Sequence, residues 1–422
     1  MNYRNLFVGV DRYIQLKNGK KVIPINFDNG ATTPPLKCAV KAIEDQLEYY
    51  GSIGRGTGFK STYCTTQFQE ARNDILRFFN LEPEKEHTVI YVKSTTEGLN
   101  LLAYTLGGRH TIVLSTRMEH HANDLPWRYY ARHVDYVDVE ANGRLSIDQI
   151  ERKLREYRGN IKYVAITAAS NVTGYVNDIN KIASICHKYG AKIIVDAAQL
   201  VAHREINMAG TCKEEQIDFL VFSAHKAYAP FGGGAVIGLC ESLGHVEPFL
   251  KGGAAVNQVF EFSQEWLTIP DRLEAGTQNY FGVISMASAL NKLKEIGFLN
   301  IEQHENELKD YLNERMKKIP YITLYGDCEN TADRLGILIF TVKDHDYEKI
   351  SDELGIKIGA ATRCGKFCAH PYVTRLLNVR NYPDNSKEQD DCGMIRISLG
   401  LYNTKQEADR FLWYLENMNK QV

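Results

Sequence analysis

Five short runs constrain what this chain can fold into: HTVIYV (87–92), HTIVLS (110–115), KYVAIT (162–167), AKIIVD (191–196) and DFLVFS (218–223). Each is continuously apolar through its middle, and polar residues follow it. A strand that is apolar on both sides needs cover on both faces, the condition of a mostly parallel sheet between helical layers. The stretches between the runs supply that cover. SIDQIERKLREY and INKIASICHKYG carry apolar residues at helical spacing. The chain therefore reads as α/β, a class that binds ligands beyond the carboxyl ends of its strands.

The pattern changes after about residue 275. Two helical stretches, ISMASALNKLKEIG and ENELKDYLNERMKKI, lead to the short strands GILIFTV and GMIRISL and a closing helix, KQEADRFLWYLENM. We expect an N-terminal segment (1–30), a large domain (31–275) and a smaller α+β domain (276–422). The first segment contains a strand, IPINFDNG, that either domain can accept.

Composition narrows the function classes. A net charge of -2 argues against a broad nucleic-acid surface. No apolar run approaches the ~20 residues of a membrane span. The opening residues, MNYRNLFVGVDRYIQLKNGK, lack the apolar core of a signal peptide. Nine cysteines, an odd number scattered along a long chain, read as free thiols. Together these point to a cytoplasmic protein with neither a nucleic-acid nor a membrane partner.

The unusual residues lie just past the runs. Ser94-Thr95-Thr96-Glu97 fits a capping box, and its free N–H groups and hydroxyls also fit an anion. In MEHHANDLPW, either histidine reads as an ordinary polar residue, or as a ring stacked on a flat ligand. Asp196 ends an apolar strand, where a carboxylate caps a helix or meets a cation. Lys226 follows DFLVFS. A lysine there either snorkels to water or loses its charge and becomes a nucleophile that condenses with aldehydes. Cys364, Cys368 and His370 lack a fourth metal ligand, so no metal is expected. A phosphate cup, a stacking ring, a buried carboxylate and a Schiff-base lysine are together what a pyridoxal phosphate site requires.

From about residue 25 the chain resembles the class V, fold-type I pyridoxal-phosphate enzymes. It is most similar to the type II cysteine desulfurases and selenocysteine lyases. The resemblance rests on FDNGATTP (27–34), TTEGLNLLA (95–103), MEHHANDLPW (118–127), SNVTG (170–174), DAAQ (196–199), SAHK (223–226), LEAGTQN (273–279), RCGKFCA (363–369) and RISLGLYNT (396–404). It implies that Lys226 holds the cofactor and His120 stacks on its ring. Asp196 would meet the pyridine nitrogen and Gln199 the ring hydroxyl, with Asn171 nearby. Thr95, Thr96, Ser223 and His225 would bind phosphate, joined by Thr277 from a partner subunit. Arg396, with Ala31 and Asn171, would receive the substrate carboxylate. Cys368 would take sulfur from L-cysteine as a persulfide, leaving L-alanine, with Arg363 and Lys366 placed to favour its thiolate. A homodimer and a sulfur-acceptor protein follow as partners. Selenocysteine or C–S lysis, epimerisation and transamination remain open on the same scaffold, as does a non-catalytic role.

Three departures stand out. IGRGTGF (53–59) carries Gly54 and Gly58 where the resemblance expects histidines. A polar stretch, NVRNYPDNSKEQDDCG, lengthens the path from Cys368 to Arg396. Cys364 offers a second thiol near Cys368.

Overall fold

The computed structural model describes residues 3–418 apart from Arg55, Glu84, Phe231 and 380–391. Seven strands form the large sheet: β1 (His87–Val92), β2 (Gly108–Thr116), β3 (Ala131–Val137), β4 (Ile161–Thr167), β5 (Lys192–Asp196), β6 (Phe219–Ser223) and β7 (Gly234–Leu239). Their order is β1-β7-β6-β5-β4-β2-β3. Only β7 runs against its neighbours; the pairs from β6 to β3 are parallel. All five apolar runs are strands. The other two carry weaker signals: β3 (ARHVDYV) is a partly exposed edge, and β7 (GAVIGL) contains two glycines.

Alternation along each strand divides its side chains between two cores. Leu220 and Phe222 of β6, with Ile193 and Val195 of β5, pack towards α2 (Phe59–Phe78), α5 (Ile147–Glu156), α6 (Ile179–Lys188) and α7 (Tyr280–Ile296). Phe219 and Val221 of β6, with Ile194 of β5, face α3 (Thr95–Leu106), whose Leu99 and Leu102 are fully buried. Helix α3 lies very close to the sheet. A Cβ on Gly98 would come within 2.5 Å of Val221 Cγ1 and 2.8 Å of Val236 Cγ2.

A second sheet has four antiparallel strands: β8 (Ile322–Leu324), β9 (Ile337–Val342), β10 (Arg363–Gly365) and β11 (Met394–Ser398), in the order β8-β9-β11-β10. Its two faces differ in task. Ile395 and Ile397 turn towards a core shared with α8 (Phe298–Met316), α9 (Tyr347–Ile358) and α11 (Lys405–Asn417). Met394 and Ile339 turn the other way, onto Met118 and Val172 from the loops of the large sheet. Alternation from Met394 places Arg396 on that second face as well.

The N-terminal strand joins both units. Ile25–Asn26 pairs in parallel with Ala360–Ala361, and Ile25 and Phe27 enter the small core. A few residues on, the N–H groups of Thr33 and Leu36 donate to the carbonyls of His225 and Tyr228. Among the described residues no helix is long and apolar enough to cross a membrane.

Replacing Gly98 with valine is expected to destabilise the protein by about 3 kcal/mol through overpacking. A fall in the urea midpoint with an unchanged m-value would register it. A variant as stable as the parent would contradict this packing.

Candidate functional site

The carboxyl ends of β1, β2, β4, β5 and β6, with the loops after them, border one cavity of about 220 Å³. At one end stands the N-terminus of α3. Ser94 accepts the Glu97 N–H (3.3 Å), as a capping box requires. The reciprocal bond is displaced by one residue, because Glu97 Oε2 accepts from the Lys93 N–H (2.6 Å). Ser223 Oγ lies 2.7 Å from both the N–H and the Oγ1 of Thr95, so β6 delivers a hydroxyl to the helix start. Thr96 and His225 border the same end of the cavity. The His225 ring is tied through Nδ1 to Thr32 Oγ1 (3.1 Å).

Asp196 and Lys226 carry the opposite charges of the site. Asp196 is buried, and its Oδ1 accepts the N–H of Ala198 (3.0 Å), capping a turn rather than a helix. Burial raises its pKa, against the favourable field of Lys226. Lys226 is half-buried beside the cavity. Desolvation lowers its pKa to about 8, with Asp196 opposing and Arg396 assisting the fall. At pH 7 roughly one amine in ten is then neutral, against about one in three thousand for an ordinary lysine. Burial, with Lys226 nearby, pushes His120 down to about 4. Its Nδ1 accepts the Ala122 N–H (3.0 Å), so the ring is neutral with the proton on Nε2. Gln199 donates from Nε2 to the Gly30 carbonyl (2.8 Å), which binds the FDNG turn to the cavity wall.

The small sheet completes the site from above. Arg396 donates to the Asn171 carbonyl (2.8 Å) and to Asp28 Oδ1 (3.0 Å). Its Nε is buried without a hydrogen-bond partner among the described residues. Arg363 lies directly opposite Arg396 in the β10–β11 register and donates to Asp28 Oδ2 (2.7 Å). Phe367 and Cys368 follow, with φ of 52° and 54°. Two successive non-glycine residues in the left-handed region cost roughly 1–2 kcal/mol each. Hydrogen bonds from the site hold them there. Asn171 Nδ2 donates to the Phe367 carbonyl (2.8 Å), and the His121 N–H donates to the Cys368 carbonyl (2.7 Å). Cys368 itself is exposed.

The fold thus brings Thr95, Thr96, His120, Asn171, Asp196, Gln199, Ser223, His225 and Lys226 to one cavity. Arg396 and Cys368 are linked to it through Asn171 and His121, and Ala31 stands beside them, its N–H on the Asp28 carbonyl (3.1 Å). Thr277 is not among the lining residues. It borders a separate cavity of about 230 Å³ with Lys93 and Glu97. Arg363, expected to act on Cys368, pairs instead with Asp28. Cys364 points away from the site. It is paired with Ile395, on the face of the small sheet that meets α9, and hydrogen-bonds Ser351. Burial raises its thiol pKa, so it makes a poor second sulfur acceptor. Gly54 and Gly58 adopt φ of 93° and 91°, which only glycine takes without strain, so histidine does not suit this backbone. Arg55 and most of the polar stretch after Cys368 (380–391) lie outside the described residues.

Two further residues stand at the site, Asp28 and Glu119, whose roles are not legible in the sequence. Asp28 was hidden in a motif that reads as a turn. Glu119 is buried between Thr116 (2.6 Å) and Asn123 (2.7 Å), and burial raises it to about 8. Its signal was an acid placed directly between Met118 and a histidine pair.

A mostly parallel sheet with its polar residues beyond the strand ends, leaned upon by a smaller α+β unit, is the fold-type I architecture. Residues 25–411 match the family model described as Aminotransferase class-V, and the chain belongs to that family. A probable cysteine desulfurase of Halalkalibacterium halodurans is 31% identical, covering 98% of this chain and 96% of its own. Another, from Staphylococcus aureus, is 32% identical over 94% of this chain and 92% of its own. Among solved structures, the apo cysteine desulfurase of Thermococcus onnurineus NA1 superposes with a TM-score of 0.84 at 27% identity, covering 94% of this chain and 95% of its own.

In the cofactor-free protein, acylation of Lys226 by an amine reagent should reach half its maximum near pH 8. Surface lysines should do so near ~10.4. Peptide mapping across a pH series reads both, and a Lys226 profile matching the surface lysines would contradict this environment.

Proposed function

We propose that this protein is a pyridoxal-phosphate-dependent cysteine desulfurase, which removes sulfur from L-cysteine to leave L-alanine and a persulfide on Cys368. One observation carries the reading. A nucleophilic amine and a buried carboxylate share a cavity that Asn171 ties to an exposed cysteine on a strained turn. The relatives that bear the name cover nearly the whole chain.

The residues fit the cofactor. Asp196 is buried, takes one hydrogen bond and forms no ion pair with a described residue, so it lacks the cation that a buried carboxylate calls for. A protonated pyridine nitrogen supplies that cation. Thr95, Thr96, Ser223 and His225, at a helix N-terminus, suit the phosphate. When bound, pyridoxal phosphate offers a carbonyl for condensation and a ring that accepts the electron pair left at Cα.

The chain's own residues do the rest. Lys226, with its lowered pKa, is the amine that would hold the group through its carbonyl and, when free, would carry the Cα proton. His120, a neutral imidazole, would stack on the ring, and Gln199 would meet the ring hydroxyl. Arg396 receives the substrate carboxylate with Asn171 and Ala31 beside it. Cys368 attacks the substrate sulfur as thiolate: the new S–S bond forms as the Cβ–S bond breaks, and the electron pair stays on carbon, which takes a proton. Its exposure lets an acceptor protein collect the sulfur.

We further infer a homodimer in which Thr277 reaches the phosphate of the partner. Exposed aromatic residues, Phe59 on α2 and Phe260 and Phe262 on the loop around 256–266, support a second copy as their cover. Nine scattered cysteines with no disulfide among the described residues suit a reducing compartment, and we assign the protein to the cytoplasm on that ground.

Incubation with L-cysteine and a reductant should release sulfide and alanine in equal amounts. Cys368→Ala should lower both by at least about a hundredfold while the cofactor absorbance persists. Unchanged turnover in that variant would favour a lyase, epimerase or aminotransferase reaction instead.

A further inference from the structure

His121 holds the cysteine turn at two places. Its backbone N–H donates to the Cys368 carbonyl (2.7 Å), and its ring Nε2 accepts the His370 N–H (3.4 Å). One residue of the large unit thereby brackets the chain from Cys368 to His370. The His121 and His370 rings meet edge to face, with centroids 4.6 Å apart. The His370 N–H opens the short helix His370–Leu376, where a first-turn donor has no partner within the helix, and Ala369 before it offers no side-chain cap. The His121 imidazole fills that place. The turn needs the support, because Phe367 and Cys368 both lie at positive φ, which side-chain-bearing residues keep only where their surroundings impose it.

Two adjacent histidines thus serve the two halves of the site. His120 borders the cavity with Lys226 and caps the turn His121–Asn123 through its own ring, while His121 faces the cysteine. A hold that uses Nε2 as acceptor exists only while the imidazole is neutral. The titratable and charged groups around the ring are His120 on its own turn, Asp124 and Arg128 of the segment that follows, and Cys368 and His370 across the turn. Burial lowers the His121 pKa, with Asp124 opposing and Arg128 assisting the fall. The ring is therefore neutral at pH 7 and gains its proton below the ordinary imidazole value of ~6.5. Both nitrogens are then donors, and Nε2 meets the His370 N–H donor to donor.

We propose that His121 is a positioning residue for Cys368: its neutral imidazole braces the cysteine turn against the large unit, and protonation of that ring releases the brace. Sulfur removal then declines in acid while the amine chemistry at Lys226 persists. The inference rests on the reading of Cys368 as the acceptor of the substrate sulfur.

The test compares two readouts in the pyridoxal-phosphate holoenzyme: sulfide release from L-cysteine, and exchange of the L-alanine Cα proton in deuterated water. Exchange requires the Lys226 amine but not the thiol. His121→Ala should lower sulfide release at least roughly tenfold and leave exchange within about twofold of wild type. His121→Gln sets a carboxamide oxygen, which does not titrate, at the reach of Nε2, and should return sulfide release to within about threefold of wild type. A pH series adds a second arm. Thiolate attack requires the loss of one proton from Cys368. Sulfide release divided by exchange should therefore fall in acid with a logarithmic slope of about one in the Gln protein and about two in the wild type. Unchanged sulfide release in His121→Ala overturns the proposal. So does an equal loss in both readouts, which marks a residue that only supports the fold of the site. A Gln protein as impaired as the Ala protein, or one with the wild-type slope, overturns it too. Wild-type protein that exchanges L-alanine but releases no sulfide overturns the Cys368 reading itself, and this inference with it.

Discussion

The withdrawal of Lys226 and Asp196 from water, at the ends of two adjacent parallel strands, is the constraint on which the site depends. Each is penalised by burial, and each offsets part of the penalty of the other. Neither charge is neutralised outright, because neither makes a direct ion pair with a described residue. The balance leaves an amine near neutrality and a carboxylate in want of a cation. Such a pair is poor as a stabilising device and well suited to a ligand that brings both an electrophile and a protonated ring nitrogen.

The small sheet contributes through alternation. Its strand β11 sends Ile395 and Ile397 into its own core, so Met394 and Arg396 must face the large sheet. Strand β10 follows the same rule, setting Arg363 beside Arg396 and turning Cys364 away. The left-handed turn at Phe367 and Cys368 then projects the thiol beyond the sheet. Its two carbonyls are held by groups of the large unit, Asn171 and the His121 N–H. The geometry of the cysteine is therefore set by both units together, and the N-terminal strand fastens them from the other side.

Much of this was legible in the sequence, for identifiable reasons. Continuous apolar runs can only be buried strands, and the residues that end them fall where such sheets keep their ligands. That logic located Asp196, Ser223 and Lys226 without any neighbour being known. Strands β3 and β7 escaped it, the first because an edge strand tolerates polar residues, the second because glycines dilute its signal. Asp28 escaped for a different reason: it acts through contacts distant in sequence, with Arg363 and Arg396. The opposite orientation of Cys364 was equally invisible, since four residues of separation fix neither the strand nor its pairing. The glycines at 54 and 58 became intelligible only when their positive φ was known.

The proposed function requires a covalent link between the Lys226 amine and an aldehyde, and borohydride reduction tests that link most directly. Purified protein would be reduced, digested and mapped by mass spectrometry. The pyridoxyl phosphate increment is predicted on the peptide that contains Lys226 and on no other. An increment on a different lysine, or none in protein saturated with pyridoxal phosphate, would contradict it.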